Sequence, residues 1–135
     1  MNRAIELHDS TLAALTVDGA DVLVSFRPAY VHTSEGRPGV DRGAGWAQDI
    51  DLRISGAAIF GIPVAQPVKI LGGRIWIDGE LEGGGMVPLP LPASYHFELV
   101  LVLESDGAVA ASGGSPQAVM VGEPRYLEDF PGPSA

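Results

Sequence analysis

Residues 11–27 read TLAALTVDGADVLVSFR, two apolar stretches on either side of the turn sequence DGAD. In the second stretch Val22, Val24 and Phe26 alternate with less apolar residues, which is the period of a strand with one buried face. An Asp-Gly pair between two such stretches is typical of a β-hairpin. The segment therefore predicts two antiparallel strands that are joined near Gly19 and share one apolar face.

The remainder of the chain repeats this pattern of short apolar stretches separated by turn residues. The 18 glycines and 11 prolines punctuate the sequence, and no window shows apolar residues at helical spacing with caps. An Asp106-Gly107 pair predicts a second hairpin. The sequence predicts an all-β fold, an antiparallel β-sandwich or barrel-like fold of about eight or nine short strands with little helix. Further strands are expected at residues 4–8, 46–55, 68–71, 74–81, 95–104, 108–112 and 116–121.

The 135 residues fit a single domain. We expect residues 1–122 to form that all-β domain and residues 123–135 to form a C-terminal tail, either docked or loose. Residues 33–45 contain four glycines, one proline and both charge signs without periodicity, so we expect a mobile loop there.

Composition limits the classes of partner. The formal net charge of −9 opposes nucleic acid, whose binding depends on Lys and Arg against phosphate. There is no cysteine, and no signal peptide or membrane span is visible, so we expect a cytoplasmic address without membrane association. Lysine is nearly absent while Ala, Gly, Pro and Val are abundant, a usage that suggests a bacterial source.

The predicted hairpin register brings three polar residues together. Pairing Val17 with Val22 and continuing the ladder sets Asp9 opposite Tyr30 and Leu7 opposite His32. An acid, a phenol and an imidazole would then lie on the inward face at one end of the sheet. A carboxylate on a core face must be hydrogen-bonded.

Two interpretations of this cluster stay open. In the structural one, Asp9 bonds to local backbone or to Tyr30 and His32 and fixes a bend between the first two strands. In the functional one, Asp9, Tyr30 and His32 line a small ligand pocket at the mouth of a barrel or sandwich, with Trp46 on a lid.

Other chemistries find little support. Consecutive strand residues point to opposite faces, so residues 8–10 (HDS) cannot form a triad alone. The three histidines lack metal-ligand spacing, and the glycine run at 83–85 lacks a phosphate-loop pattern. We therefore predict neither catalytic residues, nor a metal, nor a cofactor.

These observations favour a non-enzymatic binding or interaction domain. Its acidity suggests an immunity-type protein that binds a basic protein partner. The alternative is a small-ligand-binding β-barrel, or an enzyme built on one, with its pocket at one end of the sheet. A third hypothesis is a homodimer formed through the two-sided apolar strand at residues 99–103.

Overall fold

A computed structural model describes residues 1–61, 64, 66–104 and 107–133. This part of the chain is mostly β-sheet, with two short 3₁₀ turns at Leu7–Asp9 and Gly83–Gly85. The all-β prediction is therefore confirmed. The strands are β1 Asn2–Glu6, β2 Thr11–Asp18, β3 Asp21–Ser34, β4 Gly43–Phe60, β5 Val68–Ile77, β6 Glu80–Leu81, β7 Met86–Leu89, β8 Phe97–Leu103 and β9 Gly107–Phe130.

Six of the strands close into an antiparallel barrel in the order β2-β5-β8-β9-β4-β3, and pairing of β3 with β2 completes the ring. The short strand β6 pairs with β5, while β1 and β7 extend the sheet beyond β3. Two strands are much longer than predicted: β4 has 18 residues and β9 has 24. Bulges divide these long strands, so each is straight only over short stretches.

The opening hairpin pairs as its sequence predicts. Val17 lies opposite Val22 and Leu15 opposite Val24. Val22, Val24 and Phe26 are fully buried in the barrel core, so the alternation in the sequence marks the inner face correctly. Strands β8 and β9 pair as a second hairpin, in which Asp106 of the predicted turn lies outside the described residues.

Strand β3 changes neighbours at a bulge between Phe26 and Ala29. Before the bulge it pairs with β2, and beyond it residues 30–34 pair with β1. We call the sheet on the far side of the bulge the extension. It consists of β7, β1, residues 30–34 of β3, residues 43–47 of β4 and residues 125–130 of β9.

The inner face of the extension continues the barrel core. Ile5, Val31 and Val87 are buried in the same apolar cluster as the barrel interior. Since side chains alternate along a strand, the neighbours of Val31, Tyr30 and His32, lie on the outer face. The barrel and the extension therefore share β3 and form one long sheet, whose inner face runs from the closed barrel to its open end, the mouth.

The stretch expected to be a mobile loop is partly strand and partly anchored. Residues 33–34 belong to β3 and residues 43–45 to β4. Between them, the Asn2 side-chain amide donates to the Gly36 carbonyl at 2.7 Å, and the Ser34 hydroxyl donates to the Arg42 carbonyl at 2.7 Å. These bonds hold residues 35–42 against the extension.

The segment expected as a C-terminal tail starts inside β9. Residues 123–130 continue that strand, and residues 125–130 pair with β4, so the sheet includes most of the segment. Residues 134 and 135 lie outside the described part. None of the helices in the described ranges has the length and apolar character needed to cross a membrane.

Candidate functional site

The predicted partners of Tyr30 and His32 are wrong. The structure sets Glu6 opposite Tyr30 and Ala4 opposite His32, in place of Asp9 and Leu7. Two features shift the register. The chain turns through the 3₁₀ segment at Leu7–Asp9, and β2 carries an irregularity between Leu12 and Ala14. The ladder from the hairpin therefore cannot be continued to the N-terminus.

Ser10 fixes this turn, and sequence reasoning missed its role. Its side chain is buried, its hydroxyl donates to the Glu6 carbonyl at 2.7 Å, and the same oxygen accepts the Tyr30 backbone N–H at 2.9 Å. One hydroxyl thus joins β1, the 3₁₀ turn and β3. The signal was available, since a serine directly after an aspartate often bonds to turn backbone.

Tyr30 and His32 meet on the outer face of the extension, in what we call the outer cluster: Glu6, Asp9, Tyr30, His32 and Glu128. The two rings lie 4.8 Å apart between centroids. The Tyr30 hydroxyl donates to Glu128 Oε1 at 2.6 Å, and His32 Nε2 lies 3.5 Å from Glu6 Oε2. Asp9, predicted to face inward, has a half-exposed side chain whose carboxylate contacts His8 at 3.1 Å.

Although His32 lies on the outer face, its side chain is only 4% exposed. The ring of Phe130 lies 5.1 Å away in an edge-on arrangement, and Gly39 lies close to the imidazole. Neither ring nitrogen has a hydrogen-bond partner among the described residues. Gly39 of the segment at residues 35–42 and the Phe130 ring therefore pack against the histidine, whose side chain is almost fully buried.

Burial and neighbouring groups shift the pKa values of four residues in the outer cluster. Burial, the hydrogen bond with Asp9 and the nearby Asp9 and Glu128 charges raise the pKa of Glu6 to about 7. The hydrogen bond from Glu6 lowers the pKa of Asp9, and burial lowers the pKa of His32. Burial and the Glu128 carboxylate raise the pKa of Tyr30. As the pH falls through about 7 the Glu6 carboxyl therefore takes up a proton and donates it in a hydrogen bond to Asp9, beside an imidazole whose burial disfavours its charged form.

The contacts around the outer cluster link strands that are far apart in the chain. The Tyr30–Glu128 bond joins β3 to β9, and Ser10, next to the cluster, joins β1 to β3. Within the described ranges no group of three or more histidine, aspartate or glutamate residues is placed to hold a metal ion.

Trp46 lies on the opposite, inner face and does not join the other three predicted site residues. It pairs with Val31, and its indole N–H donates to Thr33 Oγ1 at 3.1 Å. The ring of Tyr126 packs edge-on against it with centroids 5.4 Å apart. The indole is therefore held in place on a strand and does not form a mobile lid.

A cavity opens beside Trp46 where the barrel core reaches the mouth, and we call it the mouth slot. Its volume is about 190 Å³. Most of its wall is apolar, and the polar groups are a guanidinium, a hydroxyl and an amide. The lining residues are Arg3, Val31, Thr33, Trp46, Gln48, Leu89, Met120 and Pro124.

Sequence reasoning found Trp46 but missed the other residues of the mouth slot. Arg3 and Leu89 come from β1 and β7, which pair with each other. Met120 and Pro124 come from β9. This strand pairs with β4, which carries Trp46, on the edge of β4 opposite to β3. No local pattern in the sequence links three strands so far apart in the chain, so only the sheet order could have assembled this list.

The chemistry of the mouth slot suits binding. Among the described residues that line it there is no acid, histidine or lysine, the side chains that most often transfer protons in catalysis. An apolar wall with a few fixed polar groups is the usual make-up of a ligand site. The slot therefore offers shape, apolar contact and hydrogen-bond donors.

Comparison of the chain with family models, with curated proteins and with solved structures gives no match.

Proposed function

We propose that this protein is a non-enzymatic binding domain, a β-barrel that holds a small molecule with an apolar body in the mouth slot. The observation that carries the proposal is the apolar cavity that continues the barrel core to the mouth, with the Trp46 indole on its wall. Barrel mouths are frequent ligand locations, because side chains of several strands converge there.

The rigidity of the walls supports this proposal. Trp46 is fixed by its bond to Thr33, and the Gln48 amide nitrogen donates to the carbonyls of Val121 and Gly122 at 3.0 and 2.9 Å. Side chains held in this way need little ordering when a ligand arrives, which lowers the entropic cost of binding.

A basic protein partner is a weaker proposal. It depends on the net charge of −9, but several carboxylates already face cations of this chain. Asp51 pairs with Arg27 at 2.9 Å, and Asp18 and Asp21 both pair with Arg53, at 2.8 and 2.9 Å. These acids have less charge to offer a partner, so the mouth slot is the better supported site.

The test is a fragment titration of the full chain followed by NMR. The two tryptophan indole N–H signals are assigned by Trp46→Phe and Trp76→Phe variants. We expect small apolar fragments to shift the Trp46 signal in a saturable way and to leave Trp76, on β5, unchanged. The proposal fails if no fragment at millimolar concentration shifts Trp46, or if both indoles shift equally.

A further inference from the structure

One end of the mouth slot carries a cation. Arg3 lines the slot, lies opposite Leu89 and Thr33, and is exposed. Arg27, Arg37 and Arg53 face carboxylates of this chain, whereas Arg3 forms no ion pair within the described residues. Its guanidinium is thus available to an anion at the slot.

The hydroxyl of Thr33 also favours an acceptor. The Thr33 oxygen accepts the Trp46 N–H, so its own hydroxyl proton stays free to donate. The Gln48 amide nitrogen is occupied by backbone carbonyls. A ligand at this end therefore meets the donors of Arg3 and Thr33, and a guanidinium binds a carboxylate through two parallel hydrogen bonds.

The volume limits the size of the ligand. A cavity of about 190 Å³ holds about six water molecules at ~30 Å³ each, which is the space of one ring with a short chain. The aromatic face of Trp46 and the apolar side chains of Val31, Leu89 and Met120 suit such a group.

We propose that the mouth slot binds a small monocarboxylate with one apolar ring or branched chain, whose carboxylate is held by Arg3 and Thr33. This inference rests on the proposed function and names the ligand class for the same slot. The net negative charge of the protein does not oppose it strongly. Exposed charges farther than about 8 Å are largely screened at physiological ionic strength, whereas the guanidinium would be in contact with the carboxylate.

The test compares two probes that share a ring and chain but differ in charge, hydrocinnamate and hydrocinnamamide. Both are titrated into the full chain while the Trp46 indole signal is followed. We expect hydrocinnamate to bind about tenfold more tightly than the amide, because only the carboxylate forms charge-assisted bonds with Arg3.

The matched variants are Arg3→Gln and Arg74→Gln, since Arg74 is also exposed but lies on β5 away from the slot. Arg3→Gln should remove the preference for the carboxylate, and Arg74→Gln should keep it. Equal affinity for both probes, absence of hydrocinnamate binding, or an unchanged preference in Arg3→Gln overturns the inference. Binding of neutral fragments at Trp46 would still support the proposed function, so the two failures are distinguishable.

Discussion

The side-chain amide of Gln48 donates to the backbone carbonyl of Val121 at 3.0 Å, across an irregularity in the pairing of β4 with β9. The pairing shifts between Ala47 and Asp49, and the buried amide nitrogen takes over part of the bonding that the backbone ladder loses there. Gln48 also lines the mouth slot, so the same side chain repairs the sheet and shapes the site.

Replacing Gln48 by methionine should therefore destabilise the fold. The change keeps the length of the side chain but leaves backbone carbonyls without their donor, which costs about 1–3 kcal/mol. Urea denaturation followed by circular dichroism measures the loss. Gln117→Met makes the same substitution at an exposed position of β9 and should change the free energy of unfolding by less than about 0.5 kcal/mol. Equal effects would contradict the bridging role.

The pKa of Glu6 predicts a pH dependence of stability. Folding raises that pKa from 4.5 to about 7, so the folded chain binds the proton more tightly than the unfolded chain. The resulting stabilisation is complete below pH 4.5 and is lost as the pH rises through 7. Glu6→Gln, which stays neutral, should equal the wild type near pH 4.5 and exceed its stability above pH 7 by about 2 kcal/mol.

Thermal unfolding of both proteins at several pH values checks this expectation. Glu80→Gln removes an exposed acid on β6 and should run parallel to the wild type. The burial of His32 lowers its pKa, which removes stability on the acidic side, and Glu80→Gln, which lies outside the outer cluster, shares this term with the wild type. A constant gap between Glu6→Gln and the wild type across this pH range would refute the assignment.

Gly45 leaves room for the Tyr30 hydroxyl. A Cβ atom at residue 45 would collide with that oxygen, and Glu128, the hydrogen-bond partner of Tyr30, lies directly opposite Gly45. Gly45→Ala should therefore break the Tyr30–Glu128 bond and cost about 1–3 kcal/mol through overpacking. The measurement is again urea denaturation.

Two further proteins test the cause of that loss. Gly72→Ala places a methyl group on β5 in open space, so the same chemical change should be nearly neutral. In the Tyr30→Phe background the closest clashing atom is gone, and Gly45→Ala should cost less than it does alone. Strict additivity of the two substitutions would show that the hydroxyl does not matter.

Ser10→Ala should destabilise the protein by about 1–3 kcal/mol, because the Tyr30 N–H and the Glu6 carbonyl each lose a hydrogen-bond partner in the interior. Ser55→Ala, on an exposed position of β4, is the matched control. Hydrogen exchange locates the effect, and the Tyr30 amide should exchange faster in Ser10→Ala alone. Unchanged protection of that amide would contradict the role of Ser10.

The parts of the fold that local sequence determines were predictable. The alternation through Val22, Val24 and Phe26 marks the core face, and the Asp18-Gly19 turn sets the register of β2 and β3. Prediction failed where the register depends on irregular backbone. The 3₁₀ turn at Leu7–Asp9 shifts the N-terminal strand, and it exchanges Asp9 for Glu6 beside Tyr30.

The candidate site was less predictable for a related reason. The bulge between Phe26 and Ala29 reverses which residues of β3 face inward, so Val31 lies inside and His32 outside. Trp46 follows Val31, with which it pairs, to the inner face. Long-range partners such as Glu128 and Met120 depend on the order of strands in the sheet, and no spacing in the sequence encodes that order.

The two halves of β3 pair with different strands and so contribute to different parts of the fold. The first half pairs with β2 and closes the ring. The second half pairs with β1 and carries Val31 and Thr33, which line the slot. Substitutions in β1 or β7 can therefore change the walls of the mouth slot while the six-stranded ring keeps its backbone hydrogen bonds. Under the proposed function, the ligand preference of the slot would change independently of the ring closure that stabilises the barrel.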